Sequence, residues 1–324
     1  METIIITGVC GFIGHNLAKS LLERGYKVVG IDNCQIVEQQ NSHLFDLRKS
    51  ILDIYPQFNY INYDLSKDIE TLKDYFDKAQ FVIHLAARAG IRQSMSRHKE
   101  YIINNVLAFS NVIMLSARSK IKHFIYASSS SVYGDQISID GSKESDEISK
   151  PLSVYAVTKR ANELEAYAIT HSTGMKTTGL RFFSVYGPYG RKDMAPWIFA
   201  KSLIENRPIH LINEGKSYRD FTYIDDVVSC IIRVIETERN SSYEIYNIGS
   251  SHPRSVRNLL ELLELNLSKC ATIVTDKFDN SEVVKTYSNT RKFIEEYGVF
   301  NFTPLEKGIS LFSKWYVDNL KFDL

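Results

Sequence analysis

Tyr155 and Lys159, in the stretch Tyr-Ala-Val-Thr-Lys, are the residues best suited by type and spacing to move a proton. Four residues apart on a helix, they project from one face. An ammonium beside a phenol stabilises the phenolate, so the pair can serve as a base near neutral pH. Such spacing is common by chance, and a tyrosine and a lysine one helical turn apart are usually a core residue and a solvated charge. What gives this pair weight is its company. A run of serines, Ser128 to Ser131, precedes it and offers hydroxyls to a reacting oxygen.

A second constellation opens the chain. Gly8, Gly11 and Gly14, in Thr-Gly-Val-Cys-Gly-Phe-Ile-Gly, stand three apart between an apolar run and a helical pattern. Glycines in that setting allow a tight turn, close approach of the backbone to a pyrophosphate, and close helix–strand packing. The helix that follows presents free N–H groups and a favourable dipole to phosphate. Asp32 ends the next apolar run, placed to bond an adenosine ribose and to repel a 2′-phosphate, which favours NAD over NADP. Asp64, after a third apolar run, is either an adenine contact or a helix N-cap. His84 reads as a packed histidine at a strand end.

The elements that position these residues follow from the hydrophobic pattern. Short β-branched runs at 3–7, 27–31, 58–62, 80–85, 122–127 and 176–181 predict buried strands. Helical periods lie between them: one from Phe12 to Gly25, then 66–77, 99–118 and 155–172. This alternation predicts an α/β fold with a doubly wound parallel sheet and right-handed crossovers. After Tyr186 the rhythm breaks at a loop rich in glycine and proline. Residues 1–186 are therefore expected to form the nucleotide-binding domain, with 220–250 returning to it through a helix and a strand. Residues 187–324 are expected to form mainly a smaller substrate-binding lobe.

Composition limits what else the chain can be. Its 324 residues, 44% hydrophobic and 24% charged, suit a globular protein with a large core. A formal net charge of +1 gives no electrostatic case for nucleic acid or a membrane surface as partner. No apolar run reaches transmembrane length, and Met1 leads directly into a strand-like segment, so no signal peptide is expected. Cys10, Cys34, Cys230 and Cys270 lack metal-ligand spacing and read as reduced thiols of a cytoplasmic protein, with no metal site.

Five segments in this order, TGVCGFIG, HLAARAG, ASSSSVYG, YAVTK and LRFFSVYGP, resemble the extended short-chain dehydrogenase/reductases, the NAD-dependent epimerase/dehydratase family. The resemblance spans nearly the whole chain, through RDFTYIDD and YNIG. It implies a Rossmann-type sheet with NAD as cofactor. It makes Tyr155 the acid/base, Lys159 the anchor of the nicotinamide ribose, and Ser129 the partner of the reacting hydroxyl; Ser128 would support backbone or cofactor. It also places Phe12, Ile13, Asn33, Leu65, Leu85, Ala86 and Ala87 along the cofactor, with the glycines, Asp32 and Asp64. A homodimer paired through the helices at 99–118 and 155–172 is the family's expectation.

Within that family, 4,6-dehydratases and uronate decarboxylases usually carry an acidic residue directly before VYG. Here Ser131 stands there, and it cannot act as a base at neutral pH, which points to epimerisation. AGIRQS around Arg92, RFFSVYGP with Ser184, GRKDMAPWIF and SYRDFTYIDD look most like the UDP-glucuronate 4-epimerases. The resemblance implies a UDP-sugar substrate and a product of use in polysaccharide biosynthesis. Ser130, Ser131 and Ser184 are expected to bond the sugar carboxylate, and Arg219, with Arg191 as a weaker candidate, the diphosphate. The alternative for the serines is tight packing alone. One departure stands out: the arginine and Gly-Asp-Val that relatives carry before the C-terminal helices are absent from TDKFDNSEVVKTYSNT, leaving Lys277 as a possible substitute. Nor does the region 34–53 match the family's substrate-contacting loop cleanly. An epimerase of a neutral UDP-sugar, a keto-sugar reductase and a non-catalytic nucleotide-binding protein remain the alternatives.

Overall fold

The computed structural model describes residues 2–33, 42–135, 139–276 and 283–319. Its strands are β1 (Thr3–Thr7), β2 (Lys27–Asp32), β3 (Phe58–Asn62), β4 (Phe81–His84), β5 (His123–Ser129), β6 (Lys176–Phe182), β7 (Ser184–Tyr186), β8 (Ile209–Ile212), β9 (Tyr218–Arg219), β10 (Phe221–Tyr223), β11 (Tyr243–Ile248), β12 (Arg254–Ser255) and β13 (Ile273–Asp276). Its helices are α1 (Phe12–Glu23), α2 (Ser42–Asp53), α3 (Lys73–Phe76), α4 (Ile91–Ser96), α5 (His98–Tyr101), α6 (Ala108–Arg118), α7 (Val154–Thr173), α8 (Ala195–Ile204), α9 (Ile224–Glu236), α10 (Val256–Leu267), α11 (Arg291–Tyr297) and α12 (Leu305–Asp318). The chain divides into two compact units. The first comprises Met1–Gly134, Glu147–Phe182 and Val228–Tyr246; the second comprises Asp135–Asp146, Phe183–Val227 and Asn247–Leu324.

The first unit is built on a seven-stranded sheet in the order β11-β6-β5-β4-β1-β2-β3. β1 pairs in parallel with β2 on one side and with β4 on the other. The chain thus winds outward from β1 in both directions, which makes the β1/β4 junction the topological switch point where α/β folds place ligands. Ile4, Ile5 and Ile6 are wholly buried in β1, as a strand covered on both faces requires. Leu65, Leu72, Phe76, Phe109, Val112, Phe124 and Tyr126 share one core with Ile5 and Val82. Each large apolar side chain buried there contributes about 1.5–3 kcal/mol.

Two predicted helices take other forms. The 66–77 stretch yields only a 3₁₀ turn at Glu70–Leu72 and the short α3. Its helical spacing, Leu65–Ile69–Leu72–Phe76, buries the same residues without a continuous helix. The 99–118 helix runs from α5 into α6 through a π-helical turn, Ile102–Leu107. Such turns are rare and cluster at functional sites. α2 was not anticipated; it lies in the region that fails to match the family.

α7 starts where Ser153 caps it, its hydroxyl accepting from the Ala156 N–H at 3.1 Å. The helix ends at Gly174, which adopts the left-handed conformation that stops a helix. Tyr155 and Lys159 therefore lie in its first turns, on one side.

In the second unit β7 pairs with β10 in parallel, β9 with β12 antiparallel, and β8 with β13 in parallel. Trp197 of α8 packs on Phe312, Trp315 and Tyr316 of α12. Gly308 is required in α12: a Cβ there would sit 1.9 Å from the Tyr186 hydroxyl.

Candidate active site

In the first unit the glycine loop joins β1 to α1. Gly8 has φ +70°, and a Cβ on it would fall 2.7 Å from the Ala86 nitrogen. A Cβ on Gly14 would lie 2.2 Å from the Gly8 carbonyl oxygen, so α1 packs directly on the loop. α1 begins at Gly11 with no side-chain cap and no acidic residue in its first turn. Its orphan N–H groups and positive dipole end thus suit an anionic phosphate. Phe12 and Gly14 are buried, with Gly11 and Ile13 partly so. The Cys10 N–H donates to Asp32 Oδ2 at 3.0 Å and orients that carboxylate at the end of β2, beside the half-buried Asn33. A carboxylate so held still has acceptor capacity for a ribose diol. These residues fit an adenine dinucleotide.

On the other side of the switch point, Thr7 grips the end of β4. Its carbonyl accepts from the Leu85 N–H at 3.1 Å, its hydroxyl from the Ala86 N–H at 3.3 Å, and the hydroxyl also bonds His84 Nδ1 at 2.9 Å. Burial pushes His84 down to about 3, with the Lys159 charge acting in the same direction. The ring is neutral and structural, as its strand-end position suggested. Leu85 and Ala86 are half-buried, and Ala87 is exposed. Asp64 caps no helix: its Oδ1 accepts from the Ser66 N–H at 3.0 Å and hydroxyl at 2.7 Å, which closes a local turn. Leu65 beside it is buried. Arg92 is exposed on α4.

The catalytic candidates lie at the carboxyl end of β5 and the start of α7. Lys159 is 2% exposed, and its ammonium donates to the Ala127 carbonyl at 2.8 Å. Burial lowers its pKa to about 8, against the pull of the Glu163 carboxylate, which raises it. The Ser129 and Ser131 hydroxyls are hydrogen-bonded at 2.8 Å, and Ser129 Oγ also accepts from the Ser131 N–H at 3.2 Å. That bond caps a 3₁₀ turn, Ser130–Tyr133, which turns the chain so that Ser130 and Ser131 remain half-buried. The Tyr155 ring meets the edge of Tyr101 at 6.3 Å between centroids. Tyr101 in turn donates to the Ala89 carbonyl at 3.0 Å.

In the second unit Ser184 opens β7, its N–H donating to the Asp220 carbonyl at 3.0 Å. Arg219 lies in β9; its Nη1 donates to the Tyr218 carbonyl at 2.9 Å. The neighbouring Tyr218 points to the opposite face of the strand, where it lines a cavity of about 520 Å³ with Lys216 and Arg257. Arg191 forms a two-pronged pair with Asp193, at 2.9 and 2.5 Å. Lys277 lies outside the described residues, as does Cys34.

Three buried polar groups escaped the sequence reading. Glu163, on α7 one turn past Lys159, is wholly buried against Arg181 of β6. Asn105, in the π-helical turn, clamps Arg88 at both backbone atoms, accepting from its N–H at 2.7 Å and donating to its carbonyl at 2.9 Å. Asp220, wholly buried, accepts from the backbone and hydroxyl of both Ser250 and Ser288 and from the Ser251 N–H. The available signals were Glu163 at helical spacing from Lys159 and Arg181 as a charge inside an apolar strand.

A doubly wound sheet with an uncapped glycine loop at its switch point defines a dinucleotide-binding protein of the Rossmann class. The chain belongs to the NAD dependent epimerase/dehydratase family, whose sequence pattern matches residues 4–249. An uncharacterized protein of Methanocaldococcus jannaschii is 38% identical over 321 residues, 98% of this chain and 97% of that protein. UDP-glucuronate 4-epimerase 4 of Arabidopsis thaliana is 33% identical over 333 residues, 97% of this chain and 75% of the plant protein. Among solved structures, the UDP-glucuronic acid 4-epimerase from Bacillus cereus in complex with UDP-glucuronic acid and NAD matches with a TM-score of 0.92 and 29% identity, covering 98% of this chain and 99% of that one. The expected fold, family and cofactor are thereby met. Among the described residues no helix is long and apolar enough to cross a membrane, and no cluster of His, Cys, Asp or Glu could hold a metal ion.

Proposed function

We propose that this chain inverts C4 of UDP-glucuronate to give UDP-galacturonate. The observation that carries the reading is the serine turn beside Lys159: Ser129 and Ser131 are hydrogen-bonded to each other, and no carboxylate stands directly before Val132 to remove a second proton. NAD, when bound, would supply a reversible hydride acceptor for C4, and inversion follows if the 4-keto sugar turns its other face to it before the hydride comes back. Tyr155 takes the O4 proton as C4 becomes a carbonyl and gives it back when the hydride returns. Ser129 bonds the same oxygen and holds it in line, and Lys159 holds the nicotinamide ribose while its charge favours the Tyr155 phenolate. The glycine loop and the start of α1 hold the pyrophosphate, and Asp32 the adenosine ribose.

The 4-keto form of a uronic acid is a β-keto acid and loses carbon dioxide readily. Ser130 and Ser131 are assigned to the carboxylate, and the resemblance assigns Ser184 to the same sugar. Hydroxyls that fix the carboxylate can hold its C–C bond out of alignment with the carbonyl, which suppresses that loss. Arg219 is assigned to the diphosphate. We further assign a homodimer, through Ile102, Leu107, Met114, Val157, Leu164 and Tyr167, which are exposed apolar residues on or beside α6 and α7. Sedimentation equilibrium tests that pairing. The cytoplasm is the compartment this reading assigns.

The decisive experiment is NMR of the purified protein with UDP-glucuronate and no added cofactor. The anomeric signal of UDP-galacturonate is expected. A UDP-xylose-type product would overturn the carboxylate assignment. Turnover of UDP-glucose or UDP-N-acetylglucosamine alone would point to a neutral-sugar epimerase, and a requirement for stoichiometric reduced cofactor to a reductase.

A further inference from the structure

The group behind the catalytic candidates is a buried charge network. Glu163 Oε1 accepts from the Ser128 hydroxyl at 2.6 Å and from Arg181 Nε at 2.8 Å. Its Oε2 accepts from Arg181 Nη2 at 3.0 Å and Arg160 Nη1 at 3.1 Å. Arg181 reaches past the carboxylate to donate to the Tyr133 hydroxyl at 2.9 Å, with its guanidinium over the Tyr133 ring. Lys159 donates to Ala127, the residue next to Ser128. Side chains from α7 and β6 thus hold the chain at Ala127, Ser128 and Tyr133, on both sides of Ser129–Ser131.

Stability alone gives little reason for this arrangement. A buried ion pair recovers its desolvation cost only with good geometry, and apolar side chains of similar volume often do as well. The charge balance gives a better reason. Lys159 and Arg181 bring two buried positive charges and Glu163 one negative, with Arg160 a third-exposed cation at the edge. From β4, His84 faces Lys159 as a neutral ring. From β11, Tyr243 donates its hydroxyl to the Glu163 carbonyl at 3.0 Å, and Tyr133 adds a neutral phenol. Among the buried groups one positive charge is left over, the amount that a phenolate at Tyr155 would neutralise.

We propose that Glu163 is a positioning residue for the reaction: its carboxylate sets the serine turn and supplies the countercharge to the Lys159 ammonium. The proposal rests on the reading that Tyr155 and Lys159 carry the chemistry. Without Glu163 a buried Lys159 loses its proton at lower pH. A neutral amine neither stabilises the Tyr155 phenolate nor holds its place as a cation, so turnover falls on the alkaline side first.

The test uses Glu163→Gln and, because that change strands Arg181 as an unpaired buried charge, the double variant Glu163→Gln/Arg181→Met. Lys159 is followed by NMR in protein labelled at the lysine ε-carbons, its signal assigned by its loss in Lys159→Met. In both variants the Lys159 titration and the alkaline limb of the kcat profile should move down by about one pH unit. KM for the UDP-sugar should change less than twofold. An unmoved Lys159 titration in the folded double variant, or a double variant that does not fold at all, would overturn the proposal and leave Glu163 a structural salt-bridge partner. The NMR titration needs no turnover. If the wild type converts no UDP-sugar, the functional reading fails while the Lys159 measurement still decides the role of Glu163.

Discussion

Among the described residues each unit buries one carboxylate completely, Glu163 in the first and Asp220 in the second, and the two are handled in opposite ways. Glu163 meets two guanidiniums and a serine hydroxyl, all side chains. Asp220 meets only serine hydroxyls and backbone N–H groups. The first arrangement, on the proposal above, sets a countercharge beside Lys159. The second stitches three segments of chain together: the Asp220 carbonyl receives Ser184, while its carboxylate gathers residues 250–251 and Ser288. A charged partner tunes protonation, whereas neutral donors fix shape.

The largest effect expected concerns neither carboxylate but Tyr155, the proposed acid/base. Tyr155→Phe should lower turnover by about 10²–10⁴-fold, the usual range for a general acid/base, with bound NAD retained. Near-normal turnover would remove Tyr155 from the chemistry and with it the purpose assigned to Glu163.

Next is a pH dependence of stability. Burial is the first cause in lowering His15, His84 and His123 from 6.5 to about 3 in the folded protein, so each is neutral when folded and protonates on unfolding. All three belong to the first unit. A depressed histidine contributes stability that is present above 6.5 and lost as pH falls from 6.5 toward 3. The loss is about 1.4 kcal/mol per histidine per pH unit. Urea midpoints measured from pH 7.5 to 5 should fall, and His123→Gln should flatten the slope by about a third. A slope left unchanged by that substitution would mean His123 is already neutral in the unfolded chain or charged in the folded one.

Asp220→Asn should cost about 1–3 kcal/mol, because an amide places N–H groups against donors that need an acceptor. KM for the UDP-sugar should rise while the pH profile of kcat stays in place. A shifted pH profile would break the contrast with Glu163. The smallest effect is at Arg191, whose pair with Asp193 lies at the surface. Arg191→Ala should change stability by less than about 1 kcal/mol. A severalfold rise in KM would show that the arginine leaves Asp193 for the diphosphate.

Legibility in the sequence followed the physics of each region. β1, β2 and the glycine loop could be read because buried parallel strands are continuous β-branched runs and the glycines are dictated by backbone contacts at Gly8 and Gly14. Tyr155 and Lys159 were visible because one helical turn separates them. The broken helix at 66–77 was not, since Leu65, Ile69, Leu72 and Phe76 keep a helical period while Asp64 and Ser66 divert the backbone into a local turn. The crossing of Asp135–Asp146 into the second unit leaves no hydrophobic signature, because its bonds to Tyr287, Asn289 and Asn247 are made by polar atoms far away in sequence. Glu163, Arg181 and Asp220 were missed for a related reason: a buried charge looks like a surface charge until its partners are in view.

The π-helical turn at Ile102–Leu107 holds one residue more than an α-helical path of the same span would use. Each residue of an α-helix turns the chain by about 100°. Because the bulge absorbs that extra residue, a single deletion here would let the helix close regularly with Tyr101 still in phase with α6, in reach of Ala89 and Tyr155. What the deletion would remove is the bulge itself, and with it the placement of Asn105 that clamps Arg88 at both backbone atoms. The extra residue therefore serves the segment after β4 rather than the helix, and its loss should loosen Arg88 while sparing the Tyr101–Tyr155 contact.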